Sequence, residues 1–353
     1  MDVAERLISV AEKTGNLVKL GGSLTGKGFG AFFSGDLSGA IALADQALAI
    51  AVRARNPSVI ANVRFLQMAA RCWRGDLAGA QEQFTAGLEF FDDPDFRQLP
   101  GVVTGMFSVA AKNTMMLGRP DASHQFLDQM TAIAEEKHAP TDIALARLYS
   151  AMVRVDMREF KQAETLAAQA LDLSEKHQFA HPIANSRCIL GYARAQLGET
   201  NEGIAIIRQG IGGLPQAGSL GISRFKTFLA EALERAGMVE EALETIEQAL
   251  SANTLELSSQ PEALRVRGEL RLKQWQTDKG ESDFQESIAL ARKMGAKAWE
   301  LRTTMSLARL LKSQGRRHEA RVMLSDIYNW FTEGFDTVDL KEAKALLDEL
   351  VTE

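Results

Sequence analysis

Apolar residues along this chain recur three and four apart in blocks a few helical turns long, and the blocks come in pairs joined by a tight polar turn. The segment Ser186 to Ile211, SRCILGYARAQLGETNEGIAIIRQGI, shows the unit: two amphipathic helices flanking LGET. The pattern returns eight times at intervals of 38 to 43 residues, with turn residues Gly35, Gly75, Gly118, Arg158, Gly198, Gly237, Trp275 and Gly315. Five positions after each turn stands a small residue: Ala40, Ala80, Ser123, Ala163, Gly203, Ala242, Gly280 and Ala320. Seven positions before it stand Gly28, Met68, Ala111, Ala151, Gly191, Ala230, Gly268 and Ala308, all small except Met68. Small side chains at matched distances from a turn predict that two antiparallel helices cross there, because close backbone approach leaves no room for larger ones. Nine positions after the turn most units carry a larger apolar knob, Phe84, Leu127, Ile207, Ile246, Phe284 or Leu324. A hairpin that is apolar on both faces must stack on its neighbours.

The period therefore predicts an all-α, right-handed α-solenoid. About eight hairpins occupy 16–335, a partial repeat or N-terminal cap precedes them over 1–15, and a capping helix closes the array over 336–353. Only eight prolines and no Ser/Gly linker interrupt the chain, which reads as one continuous array over 1–353. Units that touch only their neighbours predict a curved rod, with a radius of gyration above the roughly 20 Å of a compact chain of this length. Residues 2–14 carry an apolar face through Val3, Leu7, Ile8 and Ala11. They look like the second helix of a hairpin whose first is missing, cut from a longer array or serving as its cap. At the other end Asp339 and Glu342 are placed to cap a final helix bearing Leu340, Ala343, Leu346, Leu347 and Leu350.

Leu190-Gly191, Gly198 and Gly203, and again SLARLLKSQGRRHEA (Ser306 to Ala320), resemble the tetratricopeptide repeat, although the period here is near 40 residues rather than about 34. A narrower resemblance covers roughly 170–350. The stretches SEKHQFAHPIANSRCILGYARAQLGETNEGI, RGELRL, FQESIALARKMGAKAWELRTTMSLARLLKSQGR and, most specifically, WFTEGFDTVDLKEAKALLDEL (Trp330 to Leu350) carry it. They are similar to the C-terminal repeat region of bacterial signalling proteins in which a class III adenylate or guanylate cyclase domain and an AAA-type ATPase precede the repeats. The resemblance implies a bacterial signalling context. It implies no catalytic residue in this region.

The net charge of −6 argues against nucleic acid, whose phosphates call for a clustered basic face. No window of about 18 apolar residues is expected to span a membrane, and Asp2 and Glu5 stand where a signal peptide would be basic. A cytoplasmic protein is expected. Cys72 and Cys188 lie in different repeats with no CxxC partner and read as buried thiols. GGSLTGKG (Gly21 to Gly28) approaches a phosphate-binding loop, but Gly28 replaces the hydroxyl that would hold magnesium, so it reads as helix. His177 and His181, with Cys188 further on, read as a loop or helix start at Pro182 rather than a metal site, and His124, His138 and His318 as surface residues. No catalytic set, cofactor or metal is expected.

Surface recognition remains. In tetratricopeptide arrays the first helix of each hairpin lines the concave groove, at positions two, three, six, ten and thirteen before the turn. By that resemblance the first repeats present Phe29, Phe32, Phe33, Phe65, Trp73, Lys112, Met115, Met116, Leu148 and Met152, with Tyr192 in the fifth. Repeats six to eight present Arg224, Glu231, Glu234, Arg235, Arg265, Glu269, Lys273, Arg309 and Lys312. The groove is expected to be apolar at one end and charged at the other, suited to a protein or peptide partner or a small ligand. The competing expectation is that longer helices bury the apolar set against their neighbours. Three functions follow: an interaction scaffold, the regulatory segment of a cyclase or ATPase, and a small-molecule sensor.

Overall fold

A computed structural model of the chain describes residues 3–99, 101–214, 220–252 and 255–351. Among the described residues there are nineteen α-helices and no strand. Eight hairpins follow a first helix, α1 (Val3–Thr14). They are α2 (Leu17–Phe33) with α3 (Leu37–Ala54), α4 (Pro57–Trp73) with α5 (Leu77–Gly87), and, after a short α6 (Pro94–Gln98), α7 (Val102–Met116) with α8 (Pro120–Lys137). Then come α9 (Pro140–Asp156) with α10 (Phe160–Lys176), α11 (Ala180–Gln196) with α12 (Thr200–Gly212), and α13 (Ile222–Arg235) with α14 (Val239–Ala252). The last are α15 (Gln260–Lys273) with α16 (Thr277–Met294), α17 (Lys297–Ser313) with α18 (Arg317–Tyr328), and a final α19 (Val338–Val351). The insertion holding α6 accounts for the longest interval, from Gly75 to Gly118.

All eight turn residues read from the sequence lie in the left-handed region, with φ between 60° and 107°. The turn needs that conformation so that two N–H groups can reach back to helix carbonyls, as Gly75 does to Cys72 (3.1 Å) and Asp76 to Arg71 (2.9 Å). Arg158 and Trp275 adopt it without being glycine. In the first two hairpins the next residue, Asp36 or Asp76, caps the second helix by accepting from the N–H of Gly39 or Gly79.

The crossings are as tight as the small residues imply. A Cβ on Gly191 would stand 2.6 Å from the Gly203 carbonyl oxygen, and one on Gly203 2.4 Å from that of Gly191. Ala40, Ala80, Ser123, Ala163, Ala242 and Ala320 are wholly buried, and the six knob residues are buried too. Ala242→Leu or Ala320→Leu should therefore overpack its hairpin at a cost of about 1 to 3 kcal/mol. Hydrogen exchange should quicken in that repeat and its neighbours first; a protected, fully stable variant at both sites would show that helices do not cross there. On α3 the buried face is Leu37, Ala40, Ala44, Ala47 and Ala51. Contrary to expectation, α3 is long and apolar enough to span a membrane by length and composition.

The solenoid is not an open rod. The expectation that each hairpin touches only its neighbours fails, because the C-terminal repeats fold back onto repeats two to four. Ala291, Met294, Ala296 and Trp299 belong to the same continuous core as the first three hairpins. Gly75 sits against Met294 and Leu257, where a Cβ would come to 3.1 and 3.2 Å, and Gly118 against Trp330, Phe331 and Lys297, where it would come within 3.0 Å. Glu333 accepts from the N–H groups of Asp121 (3.0 Å) and Ala122 (3.4 Å), capping α8 from the far end of the chain. The accessible surface, 15525 Å², is close to the roughly 14,000 Å² of a compact monomer of this mass.

Asp339 is one clasp of this closure, not the helix cap read from the sequence. It lies inside the first turn of α19 and accepts from Arg158 (3.1 Å) and from Arg302 Nε (3.1 Å). Glu342 pairs with Arg158 at 2.9 Å and with Arg309 at 3.3 Å. Arg302 also donates to the Asp156 carbonyl at 2.7 Å.

Candidate functional site

Two adjoining chambers lie along the inner, first-helix side of the hairpins. The apolar chamber, about 500 Å³, is walled by Phe29, Phe32 and Phe33 of α2, Phe65 and Trp73 of α4, Val109 and Lys112 of α7, Tyr149 and Met152 of α9, His181 of α11, and Arg224 and Phe225 of α13. The polar chamber, about 250 Å³, is walled by Lys112, Asp156, Tyr192, Arg224, Glu231, Glu262, Arg265, Trp299 and Arg302, among others. Lys112 and Arg224 belong to both and mark the boundary.

The sixth position before each turn supplies one wall residue from every hairpin: Phe29, Ala69, Lys112, Met152, Tyr192, Glu231, Glu269 and Arg309. Helical periodicity repeated in a fixed register puts that position on the inner face each time. The change from apolar to charged along this row is what separates the two chambers.

The structure divides the expected residues. Phe29, Phe32, Phe33, Phe65, Trp73, Lys112 and Met152 line the apolar chamber, and Tyr192 the polar one. Met116 and Leu148 do not reach the interior; both are fully buried within the helical packing. Met115 lines a separate small recess under Phe331 and Leu340, where the C-terminal tail covers it. Arg224, Glu231, Glu234, Arg235, Arg265, Glu269 and Arg309 stand in the polar chamber, whereas Lys273 pairs with Glu234 and Lys312 with Glu349. Of the wall residues not foreseen, Tyr149 stands on α9 beside Met152, and His181, Asn185, Leu220 and Phe225 join because repeats five and six curve over the opening. The sequence offers His181 only as a partner of His177 at a loop or helix start; here its ring meets Phe33 edge-on at 6.1 Å, and burial lowers its pKa.

The charges of the polar chamber form one chain. Tyr192 donates to Glu231 at 2.7 Å, and its ring stacks on Phe228 at 4.0 Å. Arg265 bridges Glu231 (2.8 Å), Glu262 (3.1 Å) and Glu269 (2.9 Å), and Arg302 joins Glu262 (3.0 Å) to the Asp339 clasp. Burial pushes Glu231 above the ordinary carboxylate range against the pull of Arg265. Glu262 is just as buried, but Arg265 and Arg302 together outweigh that and hold it below.

No family model matches the sequence, and no curated protein matches it. Solved structures do. The chain is similar to a Rap protein complexed with competence and sporulation factor, at 11% identity and a TM-score of 0.60, over 94% of this chain and 97% of that one. It is similar to the Rap conjugation gene regulator of plasmid pLS20 in complex with the Phr* peptide, at 11% and 0.59, over 85% and 77%. It is also similar to NprR in complex with its cognate peptide NprX, at 10% and 0.56, over 88% and 94%. At such identities the likeness is one of fold, a tetratricopeptide-like helical solenoid.

The remaining sequence motifs resolve structurally. Gly21 to Gly28 lies inside α2, where Thr25 donates to the Gly21 carbonyl (2.7 Å) and Lys27 faces Glu5 (3.7 Å). A phosphate cradle needs free N–H groups, and a helix interior has none. Cys72 and Cys188 are free and buried, and burial raises the Cys72 thiol to about 11. Among the described residues no cluster of His, Cys, Asp and Glu has the grouping of a metal site. His124, expected on the surface, is half-buried and hydrogen-bonded to Glu159 at 2.7 Å, which raises its pKa.

Proposed function

We propose that this protein is a non-catalytic bacterial signalling receptor whose closed solenoid takes a short apolar peptide segment into its interior. The observation that carries this reading is the aromatic chamber, which exists because the inner helices of the first six hairpins curve around it. Its size lies within the range of ligand sites, about 300 to 1,000 Å³, and seven Phe, Tyr and Trp rings wall it: Phe29, Phe32, Phe33, Phe65, Trp73, Tyr149 and Phe225. The solved structures of similar fold that hold peptides lend support. The buried acids and bases of the polar chamber pair with one another, which favours a structural role for them over catalysis.

A ligand in this chamber touches inner helices from α2 to α13 at once, so occupancy and the curvature of these hairpins are coupled. The similarity of the Trp330 to Leu350 tail to cyclase- and ATPase-linked repeats supports a second reading in which the array regulates such a catalytic partner. That tail supplies Asp339 and Glu342 to the clasp, so a partner would sense whether the ring is closed. A cytoplasmic location fits two cysteines kept as buried thiols.

Short synthetic peptides rich in Leu and Phe should raise the melting temperature of the wild type; a ligand at a hundred times its Kd adds about 2.7 kcal/mol. Phe65→Ser should fold and lose that gain. Equal gains in both proteins, or none with any peptide of the set, would overturn interior binding.

A further inference from the structure

Lys112 stands out among the buried cations. Arg224 has Asp156 (2.7 Å), Arg265 has three carboxylates, and Arg302 has two. Lys112 is 8% exposed, yet among the described residues its ammonium has neither a hydrogen-bond acceptor nor an ion-pair partner. What it faces is the Trp73 ring, 3.6 Å from the centroid, at the wall shared by the two chambers. The carboxylates in its field are committed elsewhere. Glu256 accepts from the Gly221 N–H (2.9 Å) and the Ser259 hydroxyl (3.2 Å), and Asp156 accepts from Arg224. Cys72, on the neighbouring helix, is a neutral thiol.

We infer that Lys112 is the anchor for a carboxylate carried by a ligand whose apolar body fills the aromatic chamber. This rests on the reading of the interior as a binding cavity and names the chemistry that the cavity selects. A buried charge without a counter-ion is costly, and an arriving anion relieves that cost. One free cation matches one negative charge. A phosphate would bring more charge than Lys112 can meet, with Arg224 already engaged and Asp156 and Glu256 close by to repel it. The aromatic walls reject a ligand that is polar along its length.

Burial depresses the Lys112 pKa, and Arg224 lowers it further, against the opposing pull of Cys72, Asp156 and Glu256. A carboxylate bound beside it favours the charged ammonium and restores the pKa. Binding should therefore take up a proton at alkaline pH, in the interval between the depressed and restored values.

A carboxylate on an apolar body has two sources, the C-terminus of a peptide and a free carboxylic acid. The probes are N-acetyl-Leu-Phe as free acid and as amide, and decanoate with its methyl ester, titrated calorimetrically into the wild-type chain, Lys112→Met and Phe65→Ser. The wild type should bind acid over amide, or decanoate over ester, by about tenfold or more, since a hydrogen bond to a charged group is being gained. Lys112→Met should bind acid and neutral forms alike. The heat of acid binding above neutral pH should also vary with the ionisation enthalpy of the buffer, a readout of proton uptake in the unmutated protein. Preference confined to the dipeptide pair assigns a peptide terminus; preference confined to the decanoate pair assigns a free acid. Equal binding of acid and neutral probes to the wild type, lost in Phe65→Ser, would overturn the anchor and keep the cavity. Binding of none of the four would overturn both.

Discussion

Asp339→Ala is expected to open the ring without unfolding the repeats. Asp339 is largely covered between Arg302 and Arg158, so its removal leaves two guanidinium groups short of a partner at the seam between α17, the α9–α10 turn and α19. Breaking one side of a buried pair typically costs about 3 to 5 kcal/mol. Glu262 and Glu342 retain part of the compensation, which places the expected loss near the lower figure, about 3 kcal/mol. Each hairpin still stacks on its sequence neighbours, so helical circular dichroism should be nearly unchanged. The radius of gyration should rise from close to the roughly 20 Å of a compact chain. Hydrogen exchange should quicken at the start of α8 and in α19, where Glu333, Phe331 and Asp339 make the closure. An unchanged scattering profile would show that apolar contacts alone hold the ring.

The same contact sets an acid response. Burial alone would raise the Asp339 pKa, but Arg302 and Arg158 outweigh it and hold the carboxyl below its ordinary value. A depressed folded-state pKa contributes stability that is fully present above the unfolded value, and that stability is lost as the pH falls through the folded one. The wild-type ring should therefore expand in acid below the ordinary aspartate range, about pH 4. Asp339→Ala should lack that component.

The second large effect separates two adjacent phenylalanines. Phe32 is 6% exposed and packs edge-on to Trp73 at 6.4 Å, whereas Phe33 is 53% exposed. Phe32→Ser should cost at least the 3 to 5 kcal/mol typical of truncating a core aromatic, roughly, with a hydroxyl buried in addition. Phe33→Ser should leave stability within about 0.5 kcal/mol and weaken apolar ligands, because its ring forms part of the chamber wall. Urea denaturation of the two variants decides the matter; similar midpoints would mean that the α2 face is not divided between core and cavity. The apolar set is split in the same way: Phe33 and Phe65 face the interior space, while Met115, Met116 and Leu148 do not.

The sequence determined what depends on contacts between neighbours along the chain. Turn residues at Gly35 to Gly315, crossings such as Gly191 on Gly203, and buried knobs such as Phe284 are each fixed by one hairpin or the next, and a local pattern encodes them. The row six positions before each turn was legible for the same reason, with its change from Phe29 and Met152 to Glu231 and Arg309. Closure was decided by the tertiary structure. The small rotation from one hairpin to the next is not written at any single position, and only its sum over eight units brings α17 to α7 and α19 to Arg158. That sum turned Asp339 from a helix cap into a clasp and covered Met115 with the C-terminal tail. It also made a chamber of an expected open groove and left Lys112 buried at its centre.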